Sequence, residues 1–210
     1  MQFTFIFKAL PIMSVPQTPE TSLRAVIECP GQGRCMMAGF PGLAAGADGT
    51  PFLDPDRMGA TLDAIVANGA PLLVVLTEEH ELPDGSFDQL RGQAAARGLD
   101  LAFLPIRDYH TPDDPTIGRW HDLLASRQDL PNTGGTVAFT CRHGAGRSGL
   151  MAANVLLHDG MDLPDAVDLV RSHFAEAIET ESQMSWLQGV SRRLKDDSQT
   201  LDVDFGTTHR

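Results

Sequence analysis

The chain has 210 residues, 42% hydrophobic and 21% charged, enough to bury one sizeable core in a single domain. With 28 acidic against 16 basic residues and a net charge of −12, its field repels nucleic acid and anionic membrane, so neither is expected as a partner. Three cysteines in no regular framework exclude a disulfide scaffold and point to a reducing compartment, with the cytoplasm as the default location.

The opening MQFTFIFKALPIM is apolar, but its run is short, Lys8 follows the run, and no small-residue cleavage site comes after it. Residues 1–22 are therefore read as an extension, an added strand or disordered, with Met13 as an alternative start. No other stretch is long and apolar enough to cross a membrane. RAVIE (24–28) and RCMMAG (34–39), on either side of the turn-like CPGQG, predict a hairpin.

After a Gly/Pro-rich loop, Asp54 and Pro55 start a helix whose stripe is Met58, Leu62, Ile65 and Val66, and Gly69 stops it. The continuous apolar run PLLVVLT (71–77) predicts a strand buried on both faces. Ser86, with Gln89 three residues on, predicts a capped helix to Gly98, followed by a strand LAFLPI (101–106). The polar loop RDYHTPDDP leads to a helix near 116–127, and TVAFT (136–140) is the next strand.

Beyond residue 147 only helices are expected: one to Gly160, one from Pro164, and one from Thr180 through about Leu194. Alternating strands and helices followed by helices alone predict an α/β fold, a mainly parallel sheet with helices on both faces and a helical C-terminal half. The domain is bounded at 23–195, and the polar residues 196–210 are expected to form a flexible tail.

The segment FTCRHGAGRSGL (139–150) fits two templates. GAGRSG has the spacing of a dinucleotide-binding turn, but here the helix leads to another helix, and the acidic candidates about 20 residues on, Asp165 and Asp168, lie on that helix. Read from Cys141, the same segment is cysteine, five residues, arginine and serine. A strand delivers Cys141 to the carboxyl edge of the sheet, and a loop through Arg142, His143, Gly144, Ala145 and Gly146 turns its N–H groups inward to hold an anion.

Gly144 and Gly146 are expected to permit positive φ and close approach of a phosphate. The following helix points its N-terminus at the same place. Next to it and to Arg147, Cys141 is expected to ionise at neutral pH. Arg147 offers a planar fork to two phosphate oxygens, and Ser148 can donate to the sulfur as it leaves. No GK[ST] follows the glycines, which excludes a P-loop nucleotide site.

CRHGAGRSG resembles the signature loop of the protein tyrosine phosphatase superfamily, and the wider chain is similar to its dual-specificity branch, to the cyclin-dependent-kinase-inhibitor-type (KAP-like) phosphatases. The similarity includes GFPG (39–42), LLVVLTEEHEL (72–82), LPIRDYHTPD (104–113) and AIETESQMSWL (177–187). It implies hydrolysis of phosphate monoesters through a phosphocysteine, with no cofactor and no metal. It places the general acid on Asp108, with Asp113 and Asp114 as close competitors that could instead cap the next helix.

It also implies that Gln183 positions the attacking water, although Thr180 and Gln183 form an S/T-x-x-Q capping box equally well, and Glu179 stands where the family commonly has another glutamine. Thr140 replaces a usual histidine before the nucleophile.

Tyr109 is the only tyrosine, and no aromatic recognition loop is evident, so a shallow pocket is expected to admit phosphotyrosine and phosphoserine or phosphothreonine of proteins. Arg142 and His143 are candidate substrate contacts and would also suit a phosphoinositide or another small phosphate ester. Cys29 and Cys35 are read as core residues rather than a metal set or a redox pair. A rhodanese-like sulfurtransferase and a silent phosphate-binding module remain as rival readings.

Overall fold

The computed structural model describes residues 20–205, with side chains except at 132 and 198–205. The readings of residues 1–12 and of Met13 lie outside the described residues.

A hairpin opens the domain: β1 (Leu23–Glu28) pairs antiparallel with β2 (Arg34–Gly39), as predicted. The loop after it holds a second hairpin that the sequence reading passed over, β3 (Leu43–Ala45) with β4 (Pro51–Leu53). Helix α1 (Pro55–Ala67) starts where Asp54 accepts hydrogen bonds from the N–H groups of Asp56 and Arg57, and Pro55 fills a position that needs no donor. Met58, Leu62 and Ile65 are fully buried, whereas Val66 is 38% exposed and falls outside the expected stripe.

Strand β5 (Leu72–Val75) is buried at all four positions. Helix α2 (Ser86–Ala95) differs from expectation at its start. Gly85, left-handed at φ 75°, is the cap, so Ser86 is already helical and its hydroxyl turns back to the Pro83 carbonyl. β6 is short (Asp100–Phe103), and α3 (Asp114–Ser126) is capped by Asp113.

β7 (Thr136–Cys141) is followed by α4 (Gly146–His158), α5 (Leu163–His173) and α6 (Glu181–Phe205). The last helix continues past its expected end near Leu194 into the stretch anticipated as a tail.

The five-stranded sheet has the order β1-β2-β7-β5-β6, parallel except for the first pair. Strand alternation divides the core between its faces. Met37, Val74 and Phe139 pack with α4 residues such as Leu150 and Leu156, while Met36, Leu73, Val75 and Ala138 pack with Met58, Leu62 and Leu90 of α1 and α2. With both faces covered, β5 is apolar throughout and β7 is buried at every position, and their carboxyl ends are the open edge where loops can assemble a site.

Candidate active site

Cys141 ends β7 and is 2% exposed, and α4 begins five residues later at Gly146. The loop between them curls over the sulfur, and the Gly144 N–H points at Cys141 Sγ from 3.1 Å. Gly144 has φ 90°, and a Cβ there would meet the Gly39 nitrogen at 2.5 Å and the Ala38 carbonyl carbon at 2.6 Å. The torsion expected of that glycine is present, and the β2 backbone packed against it leaves no room for a side chain.

Gly146 is different. It is helical and not left-handed, so its torsion asks nothing of it. A Cβ there would meet the Glu179 carboxylate, which lies against it in this structure.

Arg147 is 2% exposed and fully engaged on one side. Nη1 and Nη2 form a forked pair with Glu81 Oε1 and Oε2 at 2.6 and 2.7 Å, and Nη1 also donates to the Ile106 carbonyl at 2.9 Å. Nη2 faces Asp108 Oδ1 at 3.1 Å. Burial opposes the guanidinium charge, but Glu81, Cys141 and Asp108 outweigh it and hold the Arg147 pKa above its ordinary value. Burial likewise pushes the Glu81 carboxyl up, and the Arg147 hydrogen bonds and the Glu78 N–H bring it below the usual range.

Ser148 is buried, and its hydroxyl donates to the Ala38 carbonyl at 3.4 Å. The hydrogen bond to the sulfur among the described residues comes from Gly144. Thr140 is fully buried with an unpartnered hydroxyl.

A cleft of about 590 Å³ brings together Cys141, Arg142, His143, Arg147 and Asp108 of the expected set, and adds Glu179, Glu176, Arg24 and Arg57. The β3–β4 hairpin forms one wall. A larger hollow of about 830 Å³ beside the Glu79–Glu81 turn contains neither Cys141 nor Arg147.

Arg142 donates to the Glu81 carbonyl at 2.6 Å, and His143 lies 3.3 Å from Glu176. Of the three competing aspartates, Asp113 is committed to capping α3 and only Asp108 lines the cleft.

Gln183 is fully buried and does not line it. Its carbonyl accepts from the Glu179 N–H at 2.9 Å and its amide donates to the His110 carbonyl at 3.3 Å. Thr180 caps the Gln183 N–H at 3.2 Å, which is the capping half of the alternative reading. Cys29 and Cys35 face each other at 4.0 Å in the core, and Cys35 is pushed up by its contact with Cys29 and by burial.

The residue missed outright is Glu81. Its signal was available: an arginine buried behind a strand edge needs a carboxylate, and EEHEL follows the neighbouring strand.

A buried cysteine in an anion-binding loop at the carboxyl edge of a parallel sheet, backed by an arginine held in a carboxylate fork, defines a cysteine-based phosphatase of the dual-specificity type. The profile of the family described as "Swiss Army Knife protein, DSP-PTPase phosphatase domain" matches residues 52–199. The chain belongs to this family.

Among solved structures it is similar to the active form of Tk-PTP, with 26% identity, 82% of this chain and 97% of that chain covered, and a TM-score of 0.57. It shares its fold with a kinase associated phosphatase (KAP) whose catalytic-site cysteine is replaced by serine, at 23% identity, 77% and 88% coverage and a TM-score of 0.61. It also shares the fold of PTPMT1 in complex with PI(5)P, at 14% identity, 78% and 94% coverage and a TM-score of 0.56. No curated protein matches the chain by sequence. Among the described residues no helix is long and apolar enough to cross a membrane.

Proposed function

We propose that this phosphatase hydrolyses phosphate monoesters of proteins, phosphotyrosine together with phosphoserine or phosphothreonine, in two steps on Cys141. In the first, the Cys141 sulfur attacks phosphorus in line, the P–O bond breaks, and Asp108 gives the leaving oxygen its proton. Arg147 presents to the phosphoryl oxygens the side that faces Asp108, while Glu81 holds both terminal nitrogens, so the guanidinium is aimed before substrate arrives.

In this reading the N–H groups of the loop from Arg142 to Arg147, of which that of Gly144 points at the sulfur, share the oxygens' charge. In the second step water displaces the sulfur. Ser148, bonded to Ala38, supports the loop's shape in this reading.

The observation that carries the proposal is the Arg147 contact set, because it joins the signature loop, Glu81 and Asp108 in one cluster beside Cys141. Three free thiols at Cys29, Cys35 and Cys141 support action in a reducing compartment such as the cytoplasm. A second reading, a phosphoinositide or another small polyanionic ester as substrate, is favoured by Arg24, Arg57 and Arg142 around the cleft.

The test is turnover of an aryl phosphate. Cys141→Ser is expected to abolish it, and Asp108→Asn to lower kcat by about 10²- to 10⁴-fold while phosphate still binds. Wild type that binds phosphate without turning over would leave a binding module, and thiosulfate turnover would point to sulfur transfer.

A further inference from the structure

Glu179 is aimed at the signature loop by several independent features. The residue before it, Ile178, is left-handed at φ 59°, a conformation that a β-branched side chain adopts only under constraint. The constraint is visible: Arg171 donates from Nε to the Ala177 carbonyl at 3.2 Å and from Nη2 to the Ile178 carbonyl at 3.1 Å.

Gly149 lets this turn sit directly on α4, since a Cβ there would come within 2.8 Å of the Ala177 Cβ. Gly146 leaves space for the Glu179 carboxylate itself. Gln183 fixes the Glu179 N–H from behind.

The result is a carboxylate lining the same cleft as Cys141, while the Gln183 amide is engaged by the Glu179 N–H and the His110 carbonyl. From this geometry we infer that Glu179 is a catalytic residue of the second step, the base that takes a proton from the water attacking the phosphocysteine. This rests on the phosphatase reading above.

In that step the water oxygen forms a bond to phosphorus, the P–S bond breaks, and Cys141 keeps the electron pair as thiolate. One water proton passes to the Glu179 carboxylate and is returned to solvent as phosphate departs. Asp108, which donated its proton in the first step, is not required as the base.

Burial, and after it the neighbouring Asp108 carboxylate, push the Glu179 carboxyl above the ordinary glutamate range. The Gly146 N–H, His143 and Arg147 pull the other way without cancelling the shift. A carboxylate made more basic in this way is a better proton acceptor.

The experiment is rapid-mixing kinetics with an aryl phosphate whose leaving group is good enough to make the first step fast. Wild type is compared with Glu179→Ala and the near-isosteric Glu179→Gln, with acid-quench trapping of the phosphoenzyme. Both variants are expected to release a burst of aryl alcohol at the wild-type rate, to accumulate phosphocysteine, and to turn over about 10- to 100-fold more slowly in the steady state.

A variant that no longer folds would show no burst, so the burst itself reports a competent first step, and Glu179→Gln keeps the test available if Glu179→Ala is lost. Glu179→Gln turning over at the wild-type rate would overturn the assignment as base, as would equal slowing of both steps. An active wild type with either of those results leaves the phosphatase reading standing. A wild type that releases no alcohol at all overturns that reading and this assignment with it.

Discussion

Arg147 and Glu81 are 2% and 7% exposed and hold each other through two short hydrogen bonds, whereas Asp108, only 3.1 Å from the same guanidinium, is 43% exposed and sits next to Tyr109 at 60%. One side of the cleft is continuous with the sheet: β7 leads into the signature loop, α4 packs on it, and the loop backbone abuts β2 at Gly39 and Ala38. The other side is a loop fastened to the start of α6 by two side-chain contacts, Thr180 Oγ1 to the Tyr109 carbonyl at 3.4 Å and Gln183 Nε2 to the His110 carbonyl at 3.3 Å. The half proposed to hold the anion in fixed geometry is built into the core, and the half proposed to deliver the proton is attached to α6 by few bonds.

Breaking the core side should cost most. Glu81→Gln keeps the shape but leaves the Arg147 charge buried without its carboxylate, and removal of one partner from such a pair costs about 3–5 kcal/mol. The expected outcomes are a large drop in the denaturant midpoint and a fall in kcat/KM for any phosphate monoester.

The pH dependence gives the sign. Because folding holds the Glu81 carboxyl below its usual range, its stabilisation is complete above the ordinary glutamate value and disappears as pH falls through the lowered one. The stability gap between wild type and Glu81→Gln should therefore narrow on acidification, and a gap that widens would contradict the pair's role.

On the acid-loop side a smaller and more selective effect is expected. Gln183→Ala removes the tie to His110 and the support of the Glu179 N–H. Misplacing a catalytic group by about 1 Å can cost up to roughly 100-fold, and here about 10-fold is expected in kcat. The part of the loss that acts through Asp108 should be greatest for substrates whose leaving oxygen needs a proton and least for those with acidic leaving groups. Equal loss across a leaving-group series would mean that Gln183 acts through Glu179 in the second step instead.

The same division governs what was legible in the sequence. The sheet, its parallel strands and the placement of Cys141 and Arg147 follow from local patterns: the apolar run at 72–75, the Asp54–Pro55 helix start, and a strand-to-helix turn rich in glycine. Glu81 was hidden because its partner lies 66 positions away, and an acidic stretch after a strand reads equally well as solvated loop.

The β3–β4 hairpin had its signal in the Asp48–Gly49 pair, with Gly49 at φ 81° and Asp48 accepting from the Thr50 N–H, but the strands are too short for alternation to register. The positive φ expected of Gly146 is absent, because the pattern marks a glycine without saying whether its torsion or its surroundings call for it.

Thr140 offers the smallest test. It stands where the resembled family usually has histidine, and its hydroxyl is fully buried without a partner among the described residues. The backbone at this position is held independently of the side chain, because its carbonyl accepts from the Leu76 N–H at 2.8 Å and the residue lies in register between Ala38 and Val75. A buried hydroxyl that makes no hydrogen bond retains its desolvation cost with no return, about 1–3 kcal/mol for such a group.

Thr140→Val replaces that hydroxyl by a methyl group of similar volume and suits a strand interior. It should leave turnover unchanged and raise the denaturant midpoint, by up to about 1–3 kcal/mol in stability. A loss of activity at unchanged stability would instead show that the hydroxyl acts on the Cys141 loop when substrate is bound. The orientation of the nucleophile would then depend on residue 140 as well as on the Gly144 N–H.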